Sequence, residues 1–147
     1  VTGVQTCALP ISGQRSITHY HKQKREDIVC RAGAGVGIRL WKVAEEGGAS
    51  EETLELAIDG VARSVAAGET LTLVLGQSIH VPPHTYHQFY GLPGDEDSLS
   101  VEVSSVCDDE HDNFFIEPFG ERFPEIIEDE PPRWVQCREY GNPVGGG

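Results

Sequence analysis

The sequence predicts an all-β domain closed as a barrel or jelly roll. Three observations carry that prediction. Short segments with strict period-two alternation of apolar and polar residues recur along the chain. Turn signals separate them, including an Asp59-Gly60 pair placed as in a tight hairpin. The composition, with 17 Gly, 9 Pro and no Met in 147 residues, suits many turns and short elements.

The first twelve residues, VTGVQTCALPIS, are set aside from fold reasoning. Ala8, Leu9 and Ile11 make a weak apolar stretch, but it is too short for a signal peptide and no positive segment precedes it. The string from Val1 through Ile11 resembles an in-frame translation of sequencing-adaptor DNA. Residues 1–12 are therefore expected to be non-native, to make few packed contacts and to add no strand. On this reading the native sequence starts near Ser12 or Gly13 and an upstream segment is lost. Its loss is expected to leave an exposed apolar patch or an unpaired edge strand. Residues 13–147 are expected to form one domain.

The elements follow in order. Val36, Ile38 and Leu40 alternate with Gly37, Arg39 and Trp41. Leu54, Leu56 and Ile58 alternate with polar or small residues up to the Asp59-Gly60 turn. Val61, Arg63 and Val65 continue the period, and Leu71, Leu73 and Leu75 repeat it before Gly76. Leu99, Val101 and Val103 alternate with Ser100, Glu102 and Ser104. Such alternation marks half-buried antiparallel strands, and this many in one small domain close most economically as a barrel or jelly roll. Beyond them, Asp108 to Asp112 is acidic, and a solvated loop is favoured at Asp108 and Asp109. Phe114, Phe115, Ile116 and Phe119 are expected to pack across the barrel surface. Ile126 to Pro132 should cross irregularly, and Arg133 to Tyr140 should form a last strand.

A formal net charge of -13 argues against nucleic acid and against anionic membrane surfaces, because phosphates would be repelled. No run reaches the length of a transmembrane helix. Cys7, Cys30, Cys107 and Cys137 lie too far apart for a CxxC site and read as reduced thiols of a cytoplasmic protein.

The chemistry concentrates in histidines. On a strand, His19 and His21 share a face about 7 Å apart, so both can reach one metal ion. Glu26 has the wrong parity for a straight strand, and the polar run Lys22 to Arg25 supplies a turn that folds it back. Pro82 and Pro83 pre-set a turn into a strand carrying His87 and Phe89 on one face.

Together these positions resemble the cupin superfamily. Its first motif, G-x5-H-x-H-x3-4-E-x6-G, is met at Gly13, His19, His21, Glu26 and Gly33. Its second, G-x5-P-x-G-x2-H-x3-N, is met at Gly76, Pro82 and His87, with His84 in place of Gly and Gly91 in place of Asn. Both departures concern turn geometry. The resemblance implies a metal site formed by His19, His21, Glu26 and His87. Three imidazoles and a carboxylate accept Zn, Fe, Mn, Co or Ni, and leave two positions open on an octahedral ion.

The stretches His19 to Ile28 and Val101 to Asn113, with Glu128 to Pro131 and Cys137 to Tyr140, resemble the D-lyxose isomerase family. That resemblance implies Mn2+, a homodimer and aldose–ketose interconversion of a free sugar, D-lyxose and also D-mannose. It also implies members that are longer at the N-terminus. It makes Lys24, otherwise a solvated turn lysine, a residue that contacts substrate. Glu102 is either an exterior charge or, if its face points into the barrel, the general base. His80 and His84 read as surface and turn residues, Trp41 and Trp134 as core or wall, and Arg138 as a surface strand position. The competing functions are an Fe2+ dioxygenase, a phosphosugar isomerase and a non-enzymatic sugar binder. No dedicated phosphate-binding cluster is evident, and a pure binder needs no set of four metal ligands.

Overall fold

The computed structural model describes residues 14–94, 96–105, 108 and 111–116, and the backbone of the strand Thr2–Leu9. Eleven strands appear among them: β1 (Thr2–Leu9), β2 (His19–Tyr20), β3 (Glu26–Ala32), β4 (Val36–Lys42), β5 (Leu54–Ile58), β6 (Val61–Val65), β7 (Thr70–Leu73), β8 (Ser78–Val81), β9 (Thr85–Gly91), β10 (Ser98–Ser105) and β11 (Phe114–Phe115). They form two antiparallel sheets, ordered β1-β10-β3-β8-β5-β6 and β11-β2-β9-β4-β7. The described residues contain no helix, as the alternation predicted.

The interior follows from the period. β4 turns Val36, Ile38 and Leu40 inward, and β5 turns Leu54, Leu56 and Ile58 inward. With Ile28, Cys30, Leu73, Ile79, Val81 and Phe89 they form the apolar core. The Asp59-Gly60 hairpin closes as the dipeptide predicted. Ile58 pairs with Val61, and both turn residues have positive φ, 50° and 75°, the geometry of a tight primed turn.

Three expectations need correction. First, β6 is a sheet edge, so its period buries only Val65 and leaves Val61 exposed; Leu75 lies beyond the end of β7 and is exposed. Second, Thr2–Leu9 does form a strand, paired along the whole of β10, against the expectation that residues 1–12 add none. An open edge offers unpaired N–H and C=O groups to any extended segment, and here β1 fills that edge. Third, β10 is inverted relative to its apolar signal. Ser98, Ser100 and Ser104 are buried, while Leu99, Val101 and Val103 are half-buried on the other face. Cys30 is a buried free thiol, as predicted. The expected crossing at 126–132, the last strand at 133–140, Phe119, Trp134, Arg138, Cys107 and Cys137 lie outside the described residues.

Candidate metal centre

His19 and His87 are Cα partners across the β2–β9 pair, so their side chains leave one face of the five-stranded sheet together. His21 lies just past β2, two residues after His19, and keeps the same face. The ligand atoms of these three imidazoles lie within 4.8 Å of one another, a group that can hold one metal ion. Glu26 arrives from the opposite sheet. The bend at Lys22 and Gln23 carries the chain from β2 into β3, and Glu26 opens β3 with its side chain inward. Crossing between sheets removes the parity problem seen in the sequence. Glu26 Oε1 lies 2.7 Å from His87 Nε2, and Oε2 lies 3.9 Å from His21 Nε2.

The hydrogen bonds fix which ring atoms are free. Each Nδ1 faces a backbone carbonyl: His19 that of Ile17 at 2.8 Å, His21 that of Asp112 at 2.5 Å, and His87 that of Thr85 at 3.0 Å. A carbonyl only accepts, so Nδ1 carries the proton and Nε2 presents its lone pair inward. The Nε2 atoms of His21 and His87 and both oxygens of Glu26 are buried; the Lys24 ammonium at 2.6 Å serves Glu26 Oε2, while the two Nε2 atoms and Glu26 Oε1 face one another with no donor between them. Buried acceptors that converge in this way need a cation or a proton between them. The donor set thus fits a divalent ion.

Electrostatics agree. Burial and the neighbouring His87 push the His19 pKa down to about 3, and burial lowers that of His21. Both are therefore neutral imidazoles at physiological pH, the form that binds a metal. Burial alone would raise the Glu26 pKa. His87 and Lys24 outweigh it and hold this carboxyl well below the usual carboxylate range. Burial opposes a proton on His87, but the Glu26 charge prevails and raises its pKa. In the metal-free protein a proton can therefore take the place of a cation between this pair.

Lys24 is buried, 4% exposed, and its ammonium sits between two carboxylates. It lies 2.6 Å from Glu26 Oε2 and is in contact with Glu102 Oε1. The lysine is thus not a solvated turn residue. Burial lowers its pKa, but Glu26 and Glu102 outweigh that and raise it, so it stays charged. Glu102 faces inward, its side chain 12% exposed. Burial first, and then the Glu26 charge, raise its pKa against the pull of Lys24. The ring of Phe115 stands 5.7 Å from that of His19. His80 is on the outer face, paired with Asp27 at 3.0 Å, and His84 is an exposed turn residue. Asp112, which the sequence leaves open between a solvated loop residue and a functional one, is buried. It ends the acidic stretch yet is only 3% exposed, and nothing in composition or period separates it from Asp108.

A family model for D-lyxose isomerase matches residues 8–140. The chain is 42% identical over 122 residues to the D-lyxose/D-mannose isomerases of Serratia proteamaculans and Escherichia coli O157:H7. Each match takes in 83% of this chain and 53% of the relative, so the chain spans about half the length of these curated relatives. Among solved structures it is similar to the Cellulomonas parahominis L-ribose isomerase bound to L-ribose, with a TM-score of 0.59 at 15% identity over 81% of this chain and 60% of that one. It is also similar to a dTDP sugar isomerase from Desulfovibrio desulfuricans G20, with a TM-score of 0.56 at 13% identity over 83% and 69%. Identities this low speak for the fold alone, which is the cupin jelly roll that the motifs predicted. With its family model matched along most of its length, the chain belongs to the D-lyxose isomerase family.

Proposed function

We propose that this chain is the metal-bearing domain of an aldose–ketose isomerase of free sugars. Its substrate pair is D-lyxose and D-xylulose, with D-mannose and D-fructose as a second. The observation that carries the reading is a buried Lys24–Glu102 pair beside three imidazoles whose free nitrogens converge with Glu26. His19, His21, Glu26 and His87 are the proposed ligands of a divalent ion, with Mn2+ the choice implied by the family. Bound there, the ion would supply electrostatic stabilisation of negative charge developing on the sugar oxygens.

The remaining chemistry falls to the protein. Isomerisation moves one proton from C2 to C1 of the aldose and one hydroxyl proton from O2 to O1. Glu102 is the proposed base, taking the C2 proton as the enediol forms and returning it to C1. Burial favours that role, because a raised pKa brings the carboxylate nearer the operating pH. Lys24 has three N–H donors and engages two carboxylates, so a third donor can face a sugar oxygen.

The test uses the full-length enzyme, metal-stripped and then loaded with Mn2+. It should convert D-lyxose to D-xylulose, lose the activity in EDTA and regain it when Mn2+ is restored. No turnover of any free aldose would sink the isomerase reading. Full metal content after His21→Ala would sink the ligand assignment. A homodimer belongs to the same proposal, and sedimentation of the loaded protein checks it.

A further inference from the structure

We propose that Asp112 is a positioning residue that sets both His21 and the Lys24 loop for metal binding. This inference rests on the metal-centre reading above. Asp112 touches that loop through two separate groups. Its backbone carbonyl accepts the Nδ1–H of His21 at 2.5 Å. Its carboxylate accepts three successive backbone amides: Lys22 at 2.7 Å, Gln23 at 3.1 and 3.2 Å, and Lys24 at 2.9 Å.

Three consecutive N–H groups converging on one carboxylate form a cradle that fixes the backbone conformation of the segment. That segment is the crossover from β2 to β3, with His21 before it, Lys24 within it and Glu26 just after it. A single buried side chain thus sets how far apart the two sheets place His21 and Glu26. The carbonyl adds the tautomer: with Nδ1–H engaged, the free lone pair of His21 points inward. The amides of Lys22, Gln23 and Lys24 lie outside any strand, so the carboxylate is what satisfies them; at Lys22 and Gln23, which are exposed, water could replace it, but at buried Lys24 its loss would leave the amide unpaired. Asp112 is itself held by a backbone bond to the carbonyl of Asp108 at 2.8 Å, within a loop that leads directly into β11 beside β2.

The experiment compares wild type, Asp112→Ala and Asp112→Asn in two readouts other than activity. The first is Mn2+ affinity of the metal-free protein, measured by calorimetric titration. Loss of a group that orients a ligand typically costs 10- to 100-fold in affinity, and that range is expected for Asp112→Ala. Asp112→Asn keeps one oxygen acceptor and should fall between it and wild type. The second readout is the His21 ring tautomer in metal-free protein, from long-range 1H–15N spectra. Wild type should show Nδ1–H; Asp112→Ala keeps the backbone carbonyl but loses the carboxylate that holds it against His21, and the slackened contact should show as a mixture of tautomers. If Asp112→Ala does not fold, Asp112→Asn carries both measurements.

A drop in melting temperature with Mn2+ affinity and the His21 tautomer unchanged would overturn the proposal, because it is what a merely structural aspartate would give. Failure of wild type to bind Mn2+, with the tautomer still shifting in the variants, would uphold the positioning role and overturn the metal reading instead.

Discussion

Strands β4 and β10 carry the same kind of sequence and make opposite use of it. Each alternates three aliphatic residues with a second set, Gly37, Arg39 and Trp41 in β4 and serines with Glu102 in β10. β4 turns its aliphatic set inward, with Val36, Ile38 and Leu40 fully buried. β10 turns Ser98, Ser100, Glu102 and Ser104 inward and leaves Leu99, Val101 and Val103 on the other face. Alternation shows which residues share a face, but not which face is inside. The register with β3 decides it. Ser104, Glu102 and Ser100 stand opposite Glu26, Ile28 and Cys30, and directly opposed residues share a face. Once Glu26, Ile28 and Cys30 point inward, the polar set of β10 must follow. Lys24 then supplies the charge that makes a buried Glu102 tolerable.

The largest expected effect tests the chemical half of this contrast. Glu102→Gln removes the proposed proton acceptor while keeping shape and most hydrogen bonding. Turnover should fall by about 100-fold or more, with Mn2+ content unchanged. Solvent deuterium should enter the product at C1 or C2 of active wild type. Full activity of the variant with no deuterium uptake would overturn the base assignment and leave the metal site untouched.

The packing half is tested on β4. Ile38→Ala opens a cavity beside Leu71 and Phe89, which stand opposite Ile38 on the two flanking strands. A stability loss of about 2–5 kcal/mol is expected from denaturant unfolding. On β10 the equivalent inward change should be milder. Ser98 donates to the carbonyl of Gly35 at 2.7 Å in a buried setting, so Ser98→Ala should cost about 1–2 kcal/mol. A cost for Ser98→Ala as large as that for Ile38→Ala would mean that the two strands do not divide the work between chemistry and packing.

Much of this was legible in the sequence, and the reasons for the rest are physical. Period two exposed the strands, and the Asp-Gly pair gave the β5–β6 turn. The His-x-His pair, Glu26 and His87 were visible because the metal motif fixes residue types at fixed spacings. The inward phase of β10 was not legible, because it depends on a partner strand about seventy residues away in sequence. Asp112 was hidden for the same reason: its partners are backbone amides 88 to 90 positions earlier, which carry no sequence signature. The ion-paired state of Lys24 likewise depends on two sheets meeting. The β1 strand is not legible either, because hydrogen bonding along an open edge is largely indifferent to sequence.

The smallest effect concerns the turn that delivers β9, the strand between β4 and β2 that carries His87. His84 occupies the position that the cupin motif gives to Gly, and its φ is +58°. The left-handed conformation costs a residue with a Cβ about 1–2 kcal/mol. Its amide donates to the carbonyl of His21 at 2.7 Å, so the conformation is held by the brace between this turn and the metal loop. The exposed imidazole itself stands 6.2 Å from the ring of Tyr20, a contact worth little. His84→Gly should relieve the strain while giving the unfolded chain about 0.4–1 kcal/mol more entropy to lose. The net is a stabilisation of about 0.5–1 kcal/mol, read as a small rise in melting temperature with Mn2+ affinity unchanged. His84→Val, with a branched Cβ in the same conformation, should move the midpoint the other way. If glycine lowered the midpoint and valine did not, the His84 side chain would be holding the turn, and the motif's glycine would not be the better residue here.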